Sequence, residues 1–227
     1  MPRLPADPEG FIRANTALAT PAMVPEFKLW LASEYVPIWQ ATETWLEEQN
    51  VDPPYWAFCW PGGQAIARYL LDHPAEVRGK RVIDFAAGSG VSAMAAARGG
   101  ANSVLANDID GLSLIAAQLN AEVNGLTLQV SADDWLAGPD GAPDADVVIA
   151  GDVCYERDMS ARALAWLRSH ARLGRLVLLG DPGRNYFHAQ GLRERARYQI
   201  PTSLQLENRG MRETVVWQVL PEPDINP

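Results

Sequence analysis

The chain has 227 residues, 48% of them hydrophobic, and a formal net charge of −9. That length can bury one large core, or a core plus an arm, and the acidic balance speaks against a nucleic-acid binder, which needs a basic footprint. Two cysteines outside any C-x-x-C pair and three scattered histidines leave no disulfide framework or metal motif, and no apolar run reaches the length of a membrane span. A reducing, cytoplasmic setting is expected, with no metal, no membrane and no nucleic acid as partner. Asp7 and Glu9 stand too early for a secretory signal or an organelle presequence. An acidic surface suits a basic partner segment such as a lysine-bearing loop, although solubility is the simpler account of the charge.

Residues 1–50 read as an N-terminal helical arm. Asp7 before Pro8-Glu9 is a helix start, with Phe11, Ala14 and Leu18 on one face and Ile12 at its edge. Pro21 and Pro25 interrupt, and two further short helices are expected over 27–32 and 39–48. Trp30, Trp39 and Trp45 either pack the arm on the main domain or shape a substrate groove. Residues 51–63 read as a rigid loop punctuated by Pro53-Pro54 and Gly62-Gly63 and filled by Tyr55, Trp56, Phe58 and Trp60. Rings this dense need cover, from the core or from a ligand. A helix over 64–71 follows.

From Lys80 onward, strands alternate with helices. Strands are expected at 81–85, 103–106, 127–131, 146–150 and 175–179, with helices over 89–98, 110–124 and 158–172. Residues 187–196 are weakly helical in pattern. Segments 198–206 and 214–220 alternate like two strands joined by a turn at 207–210, and 221–227 is a tail. The sum is a doubly wound α/β sheet closed by a terminal hairpin, the main domain spanning 51–220.

The organising stretch is Arg81 to Gly90. A strand closed by Asp84 enters a loop with Gly88 and Gly90, and a helix follows, which converges backbone N–H groups and a helix N-terminus on one point. Gly88-Ser89-Gly90-Val91-Ser92-Ala93 satisfies the loose dinucleotide fingerprint, with Asp108 about twenty residues on. In that fingerprint, however, the first glycine stands at the strand end against a pyrophosphate, which Asp84 would repel. A carboxylate there suits a ligand with a positive ammonium group, such as the methionyl part of S-adenosylmethionine. A nicotinamide site and a tight turn with no ligand are the alternatives. Asp84, Asp108, Asp134, Asp152 and Asp181 all fall at strand C-terminal ends, where open parallel sheets bind ligands.

The pattern Asp84-x-x-x-Gly88-x-Gly90 with Asp108 after the next strand resembles the cofactor motifs of class I methyltransferases. Asp152-Val153-Cys154-Tyr155 resembles the D-x-x-Y hallmark of seven-β-strand protein-lysine methyltransferases. The runs Tyr55-Trp56-Ala57, Trp60 to Ala65, Arg78-Gly79-Lys80, Ala106-Asn107-Asp108-Ile109-Asp110, Gly151-Asp152 and Gly180-Asp181-Pro182-Gly183-Arg184 resemble the lysine methyltransferases of the electron transfer flavoprotein beta subunit. The resemblance implies a mostly parallel seven-stranded sheet in the order 3-2-1-4-5-7-6, S-adenosylmethionine as cofactor, and a monomeric enzyme acting on a protein lysine. The expected acceptor is the flavoprotein beta subunit; another protein, for example a ribosomal one, or a small amine is the alternative, and a non-catalytic binding module is a further one. It further implies that Asp84 and the Gly88 and Gly90 backbone hold the methionyl end and Asp108 the ribose, with Asp134 at the adenine amino group beside Trp135 and Trp60 also against the cofactor. Asp152 would anchor the incoming ammonium at the cofactor's edge and Tyr155 would line its channel. Phe85-Ala86-Ala87 departs from the Leu-Gly-x of many relatives, a change that is conservative in size.

Overall fold

The computed structural model describes residues 4–32, 54–138, 143–202 and 210–221. Helix α1 (Pro8–Asn15) begins where expected. Asp7 accepts a hydrogen bond from Gly10 N, and Pro8 occupies the first turn, where a missing N–H costs nothing. The helix stops at Asn15, so Leu18 falls in a short strand, β1 (Ala17–Ala19), and is 47% exposed; Ile12, expected at the edge, is the residue the helix buries. Residues 27–32 form no helix. They hold strand β2 (Leu29–Leu31), antiparallel to β1. The expected helix over 39–48, Trp39, Trp45 and most of the turn at 207–210 lie outside the described residues.

A 3-10 turn, Tyr55–Ala57, precedes helix α2 (Pro61–Asp72). That helix starts three residues before the expected Gln64, with Pro61 at its first position. Then come β3 (Arg81–Phe85), α3 (Val91–Arg98), β4 (Ser103–Asn107), α4 (Gly111–Val123), β5 (Gln129–Ser131), β6 (Val147–Gly151), α5 (Arg157–Arg172) and β7 (Leu176–Asp181). The chain ends in a long hairpin of β8 (Leu192–Pro201) and β9 (Met211–Val219). Residues 192–196 are therefore strand where a weak helix is expected. Pairing with β9 satisfies the backbone there, and tertiary pairing overrides a weak local preference.

The main sheet runs β5-β4-β3-β6-β7-β9-β8. Counted along the chain from β3, this is 3-2-1-4-5-7-6. The five strands from β5 to β7 are parallel, and β9 is antiparallel to both neighbours. Side chains alternate to two cores. Val82, Val147, Ile149 and Leu178 face the layer of α2 and α3, while Ile83, Phe85, Val148, Ala150 and Leu179 face α5. Because both faces are covered, these strands read as continuous apolar runs. A third cluster joins Ile12 of α1, Trp56 and Phe58 to Leu112, Ala116 and Leu119 of α4, and so seats the arm on the main domain. The chain reverses direction across the sheet between β3 and β6, and the ends of these strands therefore open the ligand crevice.

Candidate cofactor and acceptor site

The loop after β3 is built on left-handed backbone. Gly88 and Gly90 have φ of 52° and 76°. A Cβ on Gly90 would lie 2.7 Å from the Ala117 Cβ, so α4 packs directly on the loop, whereas the space beside Gly88 is open. Ala86 also has a φ of 54°. Its departure from glycine is thus more than a matter of size, because an L-residue there costs about 1–2 kcal/mol.

Beneath the loop, Asp84 is buried and accepts a hydrogen bond from Ala93 N in the first turn of α3, at 2.9 Å. Burial, reinforced by Asp108, pushes its carboxyl up to about 8. Asp108 ties the end of β4 to the loop. One oxygen accepts from Gly88 N and the other from Asp110 N, both at 3.0 Å. Burial pushes it up to about 6. The Ser113 hydroxyl also bonds this carboxylate, which as an acceptor of several hydrogen bonds can take a ligand hydroxyl as well.

Asp134 is exposed and turns its side chain back to accept from Leu136 N at 3.0 Å. Trp135 is 1% exposed and stacks on Trp166 with 5.8 Å between centroids; Trp166 in turn lies 4.7 Å from Phe85. The ring belongs to the α5-side core and offers a ligand no face. The expectation that it flanks an adenine is corrected here. The run Asp133-Asp134-Trp135 carries no hint of which side of the sheet the ring enters.

Asp152, at the end of β6, carries a φ of 56° and is buried. One oxygen accepts from Gly62 N and, at 3.3 Å, from Gly63 N, the first amides of α2. The other accepts from Arg184 Nε and Nη2 at 3.1 and 2.7 Å. Such an arrangement places a negative charge at a helix N-terminus and against a guanidinium. Three glycines, Gly62, Gly151 and Gly180, let it form. A Cβ on Gly62 would stand 2.3 Å from Gly180 O, and one on Gly151 would stand 2.7 Å from Gly63 N. Arg184 is itself held by Asp181, whose Oδ1 accepts from Gly183 N and Arg184 N. The Arg184 guanidinium also lies 5.6 Å from the centre of the Trp60 ring. Asp152 is thus hydrogen-bonded within the chain on both oxygens, to the start of α2 and to Arg184, beside the place where an incoming ammonium is expected.

Trp60 and Tyr155 are brought together through Tyr55. Tyr55 stands 6.1 Å from Trp60 and 5.6 Å from Tyr155, centre to centre, and Trp60 Nε1 donates to Tyr55 O at 2.8 Å. Tyr55 and Tyr155 are both exposed. This aromatic wall stands beside the Asp152 end of the crevice.

The family profile described as ribosomal protein L11 methyltransferase (PrmA) matches residues 68–153. The electron transfer flavoprotein beta subunit lysine methyltransferases of Xenopus laevis and Mus musculus are 38% and 36% identical to this chain over 221 residues, covering 94% of it and 87% and 84% of their own lengths. The Homo sapiens protein of the same name is 35% identical over 95% of the chain and 84% of its own length. This chain belongs to the electron transfer flavoprotein beta subunit lysine methyltransferase family. Its fold is also that of magnesium protoporphyrin IX methyltransferase from Synechocystis PCC 6803 with bound SAM, at 22% identity and a TM-score of 0.52 over 70% of this chain and 77% of that one.

Family membership makes the chain an S-adenosylmethionine-dependent methyltransferase. The residues present fit that group. A buried carboxyl group, Asp84, bonded to Ala93 N, lies under a glycine loop with open space at Gly88; once ionised it suits a cationic group and would repel a pyrophosphate. Arg184 and Tyr55 were not among the predicted site residues. Both stand in runs that the family resemblance covers, but only the folded chain shows that one meets Asp152 and the other joins Trp60 to Tyr155.

Proposed function

We propose that this protein transfers methyl groups to lysine side chains of the electron transfer flavoprotein beta subunit. The observation that carries the reading is the extent of the likeness to the lysine methyltransferases of that subunit. It runs through the arm and the hairpin as well as the cofactor half. Likeness to ribosomal protein L11 methyltransferases stops short of this: one from Deinococcus radiodurans is 45% identical over only 35% of the chain. That favours the flavoprotein over a ribosomal acceptor.

In this reading Asp84, Asp108 and the Gly88 and Gly90 backbone hold the cofactor, which supplies an activated methyl group. Asp134 keeps its turn and stays at the rim of the adenine end. The protein's own task is to align the amine and exclude water. A lysine amine must be neutral to attack, and its ordinary pKa is about 10.4. Tyr55, Trp60 and Tyr155 form an apolar wall that desolvates the amine and lowers that value, and the proton leaves to solvent. Although the ring keeps an exposed face, partial burial of the Tyr155 side chain, reinforced by Tyr55, pushes its hydroxyl up to about 12, so it stays protonated and can orient the amine through its O–H. Asp152 acts by position. Through Gly62, Gly63 and Arg184 it fixes the start of α2 and the Trp60 face.

The test is incubation with labelled S-adenosylmethionine and unmethylated electron transfer flavoprotein, followed by mass-spectrometric mapping. Label on beta-subunit lysines is expected. Undiminished cofactor binding with no label on the flavoprotein would remove the acceptor assignment and leave the methyltransferase.

A further inference from the structure

Asn120 on α4 and Asn124, which caps the C-terminus of that helix, stand one turn apart, and both turn their amides to the arm. Asn124 Oδ1 accepts from Lys28 N at 3.0 Å, and its Nδ2 donates to Lys28 O at 2.7 Å. Asn120 Oδ1 accepts from Trp30 N at 2.7 Å. The two side chains thereby hold the edge of β2 away from β1 as a neighbouring strand would, and with the pairing to β1 they satisfy the backbone of an extended segment.

Asn120 does more than hold the arm. Its Nδ2 donates to Ser89 O at 2.9 Å, in the middle of the cofactor loop. The residue is 0% exposed, and one planar amide spans the two partners. Asparagine in a helix interior is a poor helix former, so its presence calls for a reason outside the helix. From Trp30 the connection continues: Ala32 N donates to Ala57 O at 2.8 Å, at the turn that presents Tyr55 and leads to Trp60. The neighbouring Gly90 cannot give way independently, because it packs on Ala117 of the same helix.

We propose that Asn120 is a positioning residue that couples occupancy of the cofactor loop to docking of the N-terminal arm. A loop ordered by cofactor fixes Ser89 O, Ser89 O fixes the Asn120 amide, and the amide holds Trp30 N and the start of the aromatic wall. The enzyme thus completes its acceptor side after the cofactor is in place. This goes beyond the acceptor assignment and does not depend on it; it rests only on S-adenosylmethionine as cofactor.

The probe is S-adenosylhomocysteine, with amide hydrogen exchange followed across residues 28–32 and, as a reference, across β8 and β9. In the wild-type protein, saturating S-adenosylhomocysteine is expected to slow exchange at Trp30 about tenfold and to leave the hairpin unchanged. In Asn120→Leu, which removes both bonds at similar volume, the nucleoside still binds by titration but the slowing at Trp30 is lost. A structural role confined to holding the arm would raise exchange in the variant with or without the nucleoside, and would give no dependence on it in the wild type. Slowing of equal size in both proteins, or none in the wild type, overturns the proposal. If Asn120→Leu does not fold, Asn120→Ser, which is too short to span Trp30 N and Ser89 O, is measured in the same way with the same two outcomes, and the titration separates a failure of coupling from a failure of cofactor binding.

Discussion

Arg184 donates two hydrogen bonds to a single carboxylate oxygen of Asp152, at 3.1 and 2.7 Å, and leaves the other oxygen to the first amides of α2. The pair is mostly buried. Removing one partner of such a pair strands the other, at about 3–5 kcal/mol. Arg184→Ala and Asp152→Ala are each expected to lower unfolding free energy by that order, and the double variant to cost less than the sum of the two. Urea denaturation of the three variants checks this. Additive losses would mean that the two residues act independently.

Ala86 stands in a conformation that glycine adopts without strain. Ala86→Gly is expected to stabilise the protein by about 0.5–1 kcal/mol, the relief of strain outweighing the added freedom of the unfolded chain. A thermal or urea midpoint that falls would show that the loop gains something from the Ala86 methyl group.

Asp84 and Asp108 have raised carboxyl pKa values, to about 8 and about 6. A raised acid binds its proton more tightly when folded. The stability it contributes is therefore complete below the unfolded value near 4 and is lost as pH rises through 6 and then 8. The ligand-free protein is expected to lose thermal stability over that range. A cationic cofactor favours ionised Asp84, so its affinity should rise with pH between 6 and 8 and its binding should release a proton. Calorimetry in two buffers of different ionisation enthalpy measures that proton, and Asp84→Asn should abolish it.

Gly62 touches the β7 backbone so closely that a Cβ would lie 2.3 Å from Gly180 O. Gly62→Ala must displace the start of α2, at about 1–3 kcal/mol. Because Trp60 moves with it, methyl transfer should fall more than cofactor affinity does. Parallel measurement of turnover and of S-adenosylhomocysteine binding separates the two.

Trp135 packs under the sheet, away from the crevice. Trp135→Phe should lower stability by about 1–3 kcal/mol and leave cofactor affinity within about twofold. A large loss of affinity without loss of stability would return the ring to the adenine site.

Much of this molecule was legible in its residues. The β3 strand, the glycine loop after it and the alternation through β7 are local features. Apolar runs, glycines and caps announce them, because a strand buried on both faces and a turn with positive φ each restrict which residues fit. Asp84, Gly88, Gly90 and Asp108 belong to one such strand–loop–helix unit, so their neighbourhood followed from their spacing. Partnership across the fold was decided only by the tertiary structure. Whether Asp152 stood open or paired depended on where Arg184, 32 residues later, and Gly62, 90 residues earlier, came to rest. Trp135 had the composition of a site residue and the position of a core residue. Residues 27–32 had no strong preference of their own, and pairing with β1 on one edge and with Asn120 and Asn124 on the other made a strand of 29–31. In each case the deciding contact joins segments far apart in the chain, and its energy exceeds the local preference it overrides.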